Sequence, residues 1–391
     1  MKKYYYIHTF GCKVNQYESQ LISEKFQHDN FKRAKTLKEA DIIVVNSCTV
    51  TEKADKECKY FLKKIINLKN KPKILLTGCI VKNKNINMKN LLQHIEIVTD
   101  KKKLFKEQKK QVVSGLDGHS RAFLKIQDGC DSFCTYCIVP YVRNTLWSKP
   151  ECEILSEIKN LVQNKYCEIV LTGINIGKYS SSISNLIEKI MKIPLKFRIR
   201  ISSIELNEVN YKLIKLMQEN PEKICRHLHI PLQSGSNEIL KKMNRQYLVK
   251  DFEEKTNMII KSLPDIALTT DIIVGFPGET KKDYEETCNF VNKIPFARIH
   301  VFKYSNRYIT KASALKNIIS YDEVKNRSKY LLEINCKKKI NFINKNLGQK
   351  RSAVKIGKDK ALTDNYITTK LDYNNEQDNI FEVEITKSSI I

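Results

Sequence analysis

Three short apolar runs near the start of the chain each break off at a cysteine. Tyr4-Tyr5-Tyr6-Ile7-His8 stops at Phe10-Gly11-Cys12, Asp41-Ile42-Ile43-Val44-Val45 at Asn46-Ser47-Cys48, and Lys73-Ile74-Leu75-Leu76 at Thr77-Gly78-Cys79. Aromatic and β-branched residues in runs of this length favour strands. Helical patterns lie between them, Glu18 to Phe26 and Asp55 to Leu68, and a fourth strand is expected at Ile95 to Val98. Such alternation calls for a parallel sheet with helices on its faces. All strand ends in that sheet point one way, and ligand sites form just beyond them. The three thiols should therefore converge, although a helix and a strand separate each from the next. A single cysteine at a strand end reads as core; three at equivalent positions favour a three-thiolate site.

A second set is local. Gly129 to Pro140 holds Cys130, Cys134 and Cys137 with the spacing C-x3-C-x2-C. Short spacers let backbone curl around a metal centre. No cysteine follows until Cys152, and the nearest histidine, His119, precedes the loop. Structural zinc sites close with four protein ligands, whereas sites that do chemistry keep a position open. Twelve cysteines in a chain with no apolar leader sequence argue for metal ligation over a disulfide framework. Cys58, Cys152, Cys167, Cys225, Cys288 and Cys336 are scattered singly and read as small buried apolar residues.

The fold class is α/β, in three parts. Residues 1–115 form the N-terminal parallel-sheet domain with its thiol site, and Lys101 to Ser120 has the composition of a linker. Residues 116–346 read as six strand-then-helix units. Strands are expected at Ala122 to Ile126, Glu168 to Thr172, Phe197 to Ile201, Leu228 to Leu232, Leu268 to Gly275 and Arg298 to Tyr304. Helices are expected at Cys152 to Gln163, Ser184 to Ile193, Asn207 to Glu219, Phe252 to Leu263 and Glu279 to Ile294, with a long closing helix from Tyr321 to Asn346. That pattern implies a partial (β/α)6 TIM-like barrel whose functional loops follow the strand C-termini. Several of those loops carry glycine and polar residues: Thr172-Gly173, Ser202-Ser203-Ile204-Glu205, Gln233-Ser234-Gly235-Ser236 and Gly275-Phe276-Pro277-Gly278. Residues 347–391 break into short strands, Ser352 to Ile356, Tyr366 to Leu371 and Phe381 to Ile385, a small all-β module.

The formal charge of +26 invites a polyanionic partner. Lysine far outnumbers arginine, which weakens the signal, because arginine is the usual choice for bidentate phosphate recognition. Lys53 to Lys110 nevertheless concentrates 17 lysines against 5 acidic residues. The C-terminal stretch from Ala361 to Ile391 holds six acids and two lysines, so RNA binding is expected mainly from the N-terminal domain. No apolar run is long enough to span a bilayer. A cytoplasmic monomer with no membrane association is expected.

These residues resemble the radical S-adenosylmethionine (SAM) methylthiotransferases over nearly the whole chain. Cys130-x3-Cys134-x2-Cys137, with Tyr136 before the last cysteine, is similar to the family's radical SAM loop, and Cys12, Cys48 and Cys79 to the cysteines of its N-terminal domain. Pro231 to Ser236 and Asp271 to Thr280 also resemble family segments. Gly11-Cys12-Lys13-Val14-Asn15-Gln16-Tyr17-Glu18 and Cys48-Thr49-Val50-Thr51-Glu52-Lys53-Ala54-Asp55 look like the branch acting on N6-threonylcarbamoyladenosine at position 37 of tRNA. The alternatives are the branches acting on isopentenyladenosine in tRNA and on ribosomal protein S12.

The resemblance implies two 4Fe-4S clusters, one on each cysteine set. The first, on Cys130, Cys134 and Cys137, cleaves SAM to a 5′-deoxyadenosyl radical. The second, on Cys12, Cys48 and Cys79, supplies the sulfur, and another SAM the methyl group. Those six cysteines are the expected catalytic and metal-binding residues. By position and resemblance Tyr136, Gly173, Ser203, Glu205, Gln233 and Arg245 are the expected SAM contacts. Implied partners are the tRNA anticodon stem-loop and a reductant protein such as flavodoxin or ferredoxin; the sulfur donor is left open. The chain departs from the family pattern twice. Asn144-Thr145-Leu146-Trp147 follows Arg143 where the family carries a glycine and a further arginine, and the C-terminal module is a shortened version of the RNA-binding TRAM domain, with Thr363-Asp364-Asn365-Tyr366 as its core. Two readings of other classes remain: a two-cluster electron carrier, which leaves the barrel unexplained, and a zinc-stabilised RNA-binding protein, which lacks a fourth ligand at either set.

Overall fold

Each apolar run before a cysteine becomes a parallel strand: β1 (Tyr4–Thr9), β3 (Ile42–Ser47) and β4 (Lys73–Gly78). The computed structural model describes residues 3–83, 91, 93–104, 113, 115, 121–371 and 380–390. Two further short strands, β2 (Lys32–Arg33) and β5 (Glu96–Ile97), complete a sheet of order β2-β1-β3-β4-β5. β2 is an exposed edge strand with no apolar residue, so no hydrophobic pattern announces it. Thr9 pairs with Asn46 and Asn46 with Thr77, so the three cysteine-bearing strands end level.

The helices are longer than apolar periodicity suggests. α1 spans Lys13–His28 and α2 spans Glu52–Ile66, each starting about one turn before its expected position. The reason is visible in α1, whose first two turns bury the polar Asn15 and Glu18 beside Val14 and Tyr17. At α2, Thr51 caps the helix by accepting from the Ala54 N–H at 3.2 Å. Cys58, Leu62 and Ile65 of α2 pack with Ile43, Val45, Ile74 and Leu76, so Cys58 is core as expected. Cys225 and Cys288 are buried too, but Cys152 and Cys336, on the outer faces of their helices, are exposed and Cys167 is only partly covered, against expectation. Most of the expected linker lies outside the described residues; Lys101–Leu104 form a 3-10 turn.

Two compact units result. The first takes in Met1–Asp117, Asp128–Trp147 and Ser305–Ser313; the second takes in Gly118–Gln127, Ser148–Tyr304 and Ala314–Ile391. The second unit contains six parallel strands in chain order: β6 (Ala122–Lys125), β7 (Glu168–Thr172), β8 (Arg198–Ile201), β9 (His227–His229), β10 (Ala267–Val274) and β11 (Arg298–Lys303). They form two three-stranded sheets, β8-β7-β6 and β9-β10-β11. Isolated parallel bridges, Ile199 to Ile224 and Ser203 to His229, tie the two together. The intervening helices fall where expected to within a few residues, and the closing helix runs Tyr321–Asn346.

The C-terminal module is a four-stranded antiparallel sheet built from β12 (Lys350–Lys355), β13 (Lys360–Thr363), β14 (Thr368–Lys370) and β15 (Phe381–Glu384), in the order β14-β13-β12-β15. β13 has only two apolar residues in its four and is not evident from the sequence. Two buried arginines hold the module. Arg198 donates to the Ser352 and Leu362 carbonyls at 2.9 and 3.0 Å, and Arg200 to those of Asp364 and Thr363 at 3.0 and 2.9 Å. Tyr366 stacks on His227 with ring centroids 4.2 Å apart. Glu168, Arg198 and His227 each begin a strand. The module therefore sits at the strand N-termini and leaves their C-terminal ends to the loops.

Glu168 compensates both arginines. It accepts from Arg198 Nε at 2.8 Å and Arg200 Nε at 2.9 Å, and Arg121 lies 3.2 Å away. Burial alone pushes its carboxyl up, but Arg200 and Arg198 outweigh that and hold it well below the ordinary value of 4.5. Its stabilisation is therefore fully present above pH 4.5 and is lost as pH falls through the depressed native value. Glu168→Gln leaves buried guanidinium charge uncompensated and should cost roughly 3–5 kcal/mol in chemical denaturation. It should also flatten the acid limb of the stability profile. A variant of unchanged stability would contradict this role for the carboxylate.

Candidate functional site

The level ending of β1, β3 and β4 places Cys12, Cys48 and Cys79 at one end of the sheet. Cys48 and Cys79 are buried and Cys12 is exposed. Burial pushes the Cys48 thiol up to about 11, with Cys79 and Cys12 raising it further through like charge. The level strand ends place the three cysteines in one neighbourhood. Gly11 makes the approach feasible. Its φ is +93°, and a Cβ there would lie 2.6 Å from Cys48 Cβ and 2.9 Å from its Sγ.

The second set lies on the loop Asp128–Trp147 of the same unit. Gly129, at φ +79°, starts the loop, and a Cβ on it would meet the Thr145 carbonyl carbon at 2.7 Å. A turn brings the Cys137 N–H to the Cys134 carbonyl at 2.9 Å, and one helical turn, Val139–Val142, follows. Cys130, Cys134 and Cys137 are all partly exposed. The two sets are neighbours, because Ile138 and Val142 pack on Cys79 in one small apolar cluster.

A polar clamp joins them. Arg143, one residue past that helical turn, is buried, and its Nε donates to Cys79 Sγ at 3.3 Å. Its Nη1 donates to Asp128 at 2.8 Å and Glu18 at 3.1 Å, and its Nη2 to Asn15 at 2.7 Å. Lys101 pairs with Glu18 Oε2, which also accepts from Arg143 Nη2 at 3.1 Å. A second buried arginine, Arg307, reaches from Ser305–Ser313 to Asp55 at 2.5 Å and Thr49 at 2.9 Å. The same segment touches the loop, where the Ala312 N–H donates to the Thr135 carbonyl at 2.8 Å.

Arg307 does not stand out from the sequence, and Arg143 does so only as the residue before a departure from the family pattern. The signal lay in their partners, since Asn15, Glu18, Thr49 and Asp55 all fall in the two stretches that follow Cys12 and Cys48.

The expected SAM contacts divide between the units. Tyr136 belongs to the loop of the first. In the second, the others follow consecutive strands: Gly173 after β7, Ser203 and Glu205 after β8, and Gln233 after β9. Arg245 pairs with Glu205 and also contacts the Pro231 carbonyl at 3.3 Å. Gln233 adopts φ +71° and its N–H donates to the Asp271 carbonyl at 2.8 Å.

The donor chemistry is all sulfur, which suits iron–sulfur clusters over hard cations. Among the described residues, no three His, Cys, Asp or Glu side chains stand close enough to share one metal ion. Also among the described residues, no helix is long and apolar enough to cross a membrane.

Residues 124–291 match the Radical SAM superfamily, and residues 4–100 match Uncharacterized protein family UPF0004. The chain is 36% identical over 372 residues to Threonylcarbamoyladenosine tRNA methylthiotransferase MtaB of Thermotoga maritima, covering 89% of this chain and 85% of that one. Against the Bacillus subtilis protein of the same name the identity is 35% over 350 residues, covering 82% and 77%. A tRNA-2-methylthio-N(6)-dimethylallyladenosine synthase of Thermoanaerobacter sp. is 33% identical over 369 residues, covering 85% and 78%. Among solved structures, the radical S-adenosylmethionine methyltransferase TsrM of Kitasatospora setae, with cobalamin and a 4Fe-4S cluster bound, superposes with a TM-score of 0.59. It covers 80% of this chain and 77% of that one at 11% identity, a likeness of fold alone.

Burial and thiol chemistry set an order of reactivity. The thiolate is the nucleophile, so iodoacetamide at pH 8 should alkylate Cys12 of the metal-free protein well before Cys48. Peptide mass spectrometry over a time course reads this directly. Equal rates would show that Cys48 is not held in its buried setting.

Proposed function

Because the chain belongs to the radical SAM methylthiotransferase family, we propose that it adds a methylthio group to C2 of N6-threonylcarbamoyladenosine at position 37 of tRNA. The observation that carries the reading is the pair of all-sulfur sets in one compact unit, joined by Arg143 and by the packing of Ile138 and Val142 on Cys79. An electron carrier has no use for the six-strand unit that accompanies them. The choice of base follows the relatives that carry this activity in their names at 34–36% identity. Relatives named for dimethylallyladenosine, at 32–33%, make that base the second reading.

In this reading Cys130, Cys134 and Cys137 hold one 4Fe-4S cluster, and Cys12, Cys48 and Cys79 hold the other. When bound, the clusters and SAM supply one-electron cleavage, sulfur and a methyl group. The chain's own residues bind and orient. Each set offers three thiolates and leaves one corner without a protein ligand, which is where an exchangeable partner can bind. Tyr136, Gly173, Ser203, Glu205, Gln233 and Arg245 are assigned to SAM. The partners that remain assigned by expectation are the anticodon stem-loop and a flavodoxin- or ferredoxin-like reductant, with the cytoplasm as the compartment. An anticodon-loop base is already partly unstacked, which lowers the cost of presenting C2. The lysines of Lys53 to Lys110 supply attraction to the RNA backbone.

Nucleoside mass spectrometry of tRNA from a strain lacking the gene tests the substrate. The 2-methylthio form of N6-threonylcarbamoyladenosine should vanish and return with the intact gene but not with Cys130→Ala. If that nucleoside persists while the 2-methylthio form of isopentenyladenosine disappears, the second reading takes over. In vitro, the anaerobically reconstituted protein should hold about eight irons per chain and release 5′-deoxyadenosine from SAM. Cys130→Ala should abolish that release, and a variant that still cleaves SAM would refute the assignment of the loop.

A further inference from the structure

We propose that Arg143 is a positioning residue that donates its Nε–H to the Cys79 thiolate and thereby raises the reduction potential of the cluster on Cys12, Cys48 and Cys79. The proposal rests on the assignment of a cluster to those three thiols. Guanidinium presents five N–H donors in a fixed planar fork, and the surroundings of Arg143 occupy both Nη groups. Nη1 binds Asp128 through both carboxylate oxygens, at 2.8 and 2.9 Å, and Glu18 Oε1 at 3.1 Å. Nη2 binds Asn15 Oδ1 at 2.7 Å and Glu18 Oε2 at 3.1 Å. With the fork locked on two sides, the Nε–H has one direction left, and Cys79 Sγ lies along it at 3.3 Å.

The clamp is itself anchored beside the other two cysteines. Asn15 Nδ2 donates to the Phe10 carbonyl at 2.8 Å and the Ser47 carbonyl at 2.9 Å, residues that lie just before Cys12 and Cys48. Charge is balanced locally, because Glu18 and Asp128 face Arg143 and Lys101. The guanidinium is thus not consumed in neutralising a lone carboxylate. A hydrogen bond to a cluster thiolate favours the more negative, reduced state, and at a buried position it is poorly screened. Support of a metal ligand by its outer partners is a general means of tuning the centre. A purely structural ion pair would hold the loop against the sheet equally well without touching the potential. The two roles therefore separate in measurement.

The experiment uses the full-length chain with Cys130, Cys134 and Cys137 replaced by alanine, so that only the N-terminal cluster is loaded. Arg143→Lys keeps the charge and loses the fork; Arg143→Gln loses both. Each should retain about four irons and show a midpoint potential lower than its parent, with Gln shifted further than Lys, in a dye-monitored titration. Iron retained with an unchanged potential overturns the proposal. Should either variant lose its iron, the parent decides. Grown with 15N-labelled arginine and reduced, it should give a weak 15N coupling to the cluster in pulsed electron paramagnetic resonance, and absence of that coupling overturns the proposal. A parent that binds no iron brings down the cluster assignment and the proposal together, an outcome that iron analysis tells apart from the others.

Discussion

Three parallel strands that end on one row are the constraint on which the thiol geometry depends. The Thr9, Asn46 and Thr77 row fixes where β1, β3 and β4 stop, and neighbouring strands lie about 4.8 Å apart. Whatever follows the row on all three is delivered to a strip roughly 10 Å wide, two strand spacings. A strip of that width has room for a cluster-sized group. Gly11 narrows the gap by letting Cys48 stand where a side chain would otherwise be. A register slip of one residue in any of the three strands would turn its side chains to the opposite face. The core packing of Ile43, Val45, Ile74 and Leu76 therefore sets the thiol positions as firmly as the loops do.

The second unit solves a different problem, the attachment of a small β module that has little core of its own. Burying Arg198 and Arg200 around Glu168 is costly in desolvation, and such clusters seldom add net stability. Their value here is directional. The guanidinium groups of Arg198 and Arg200 have donors left over after Glu168, and those donors match the carbonyls of Ser352, Leu362, Thr363 and Asp364. The module can dock in one orientation only without stranding a buried charge. Because the attachment is made at the strand N-termini, the loops at the opposite ends keep their freedom to vary.

Much of this was legible in the sequence because it is written in apolar residues and cysteines. The strands ending at Cys12, Cys48 and Cys79, the six later strands and the Tyr321–Asn346 helix all follow from hydrophobic runs, and the glycines before Cys12 and Cys130 mark real turns of the backbone. What escaped is polar. β2 has no apolar residue and β13 has few; Asn15 and Glu18 are buried for hydrogen bonding, so periodicity counts them as surface. Arg143 and Asn15 meet across 128 positions, and Arg307 and Asp55 across 252. Nothing local in the chain encodes those encounters, although the resemblance of the stretches after Cys12 and Cys48 to one family branch pointed at half of each pair.

The first unit is not a continuous piece of chain. It needs Ser305–Ser313, which supplies Arg307 to Asp55, Ser305 to the Glu52 N–H and Ala312 to Thr135. Domains fold as their residues emerge during synthesis, N-terminal first, yet this one cannot finish until more than three hundred residues have left the ribosome. Cys12, Cys48 and Cys79 are made early and must wait. Until the late segment arrives, Asp55 and Thr49 have no arginine and the loop at Thr135 has no brace. The thiol-bearing unit is thus completed only late in synthesis, and a chain truncated before Ser305 would carry all six cysteines without the contacts that Ser305–Ser313 makes to their surroundings.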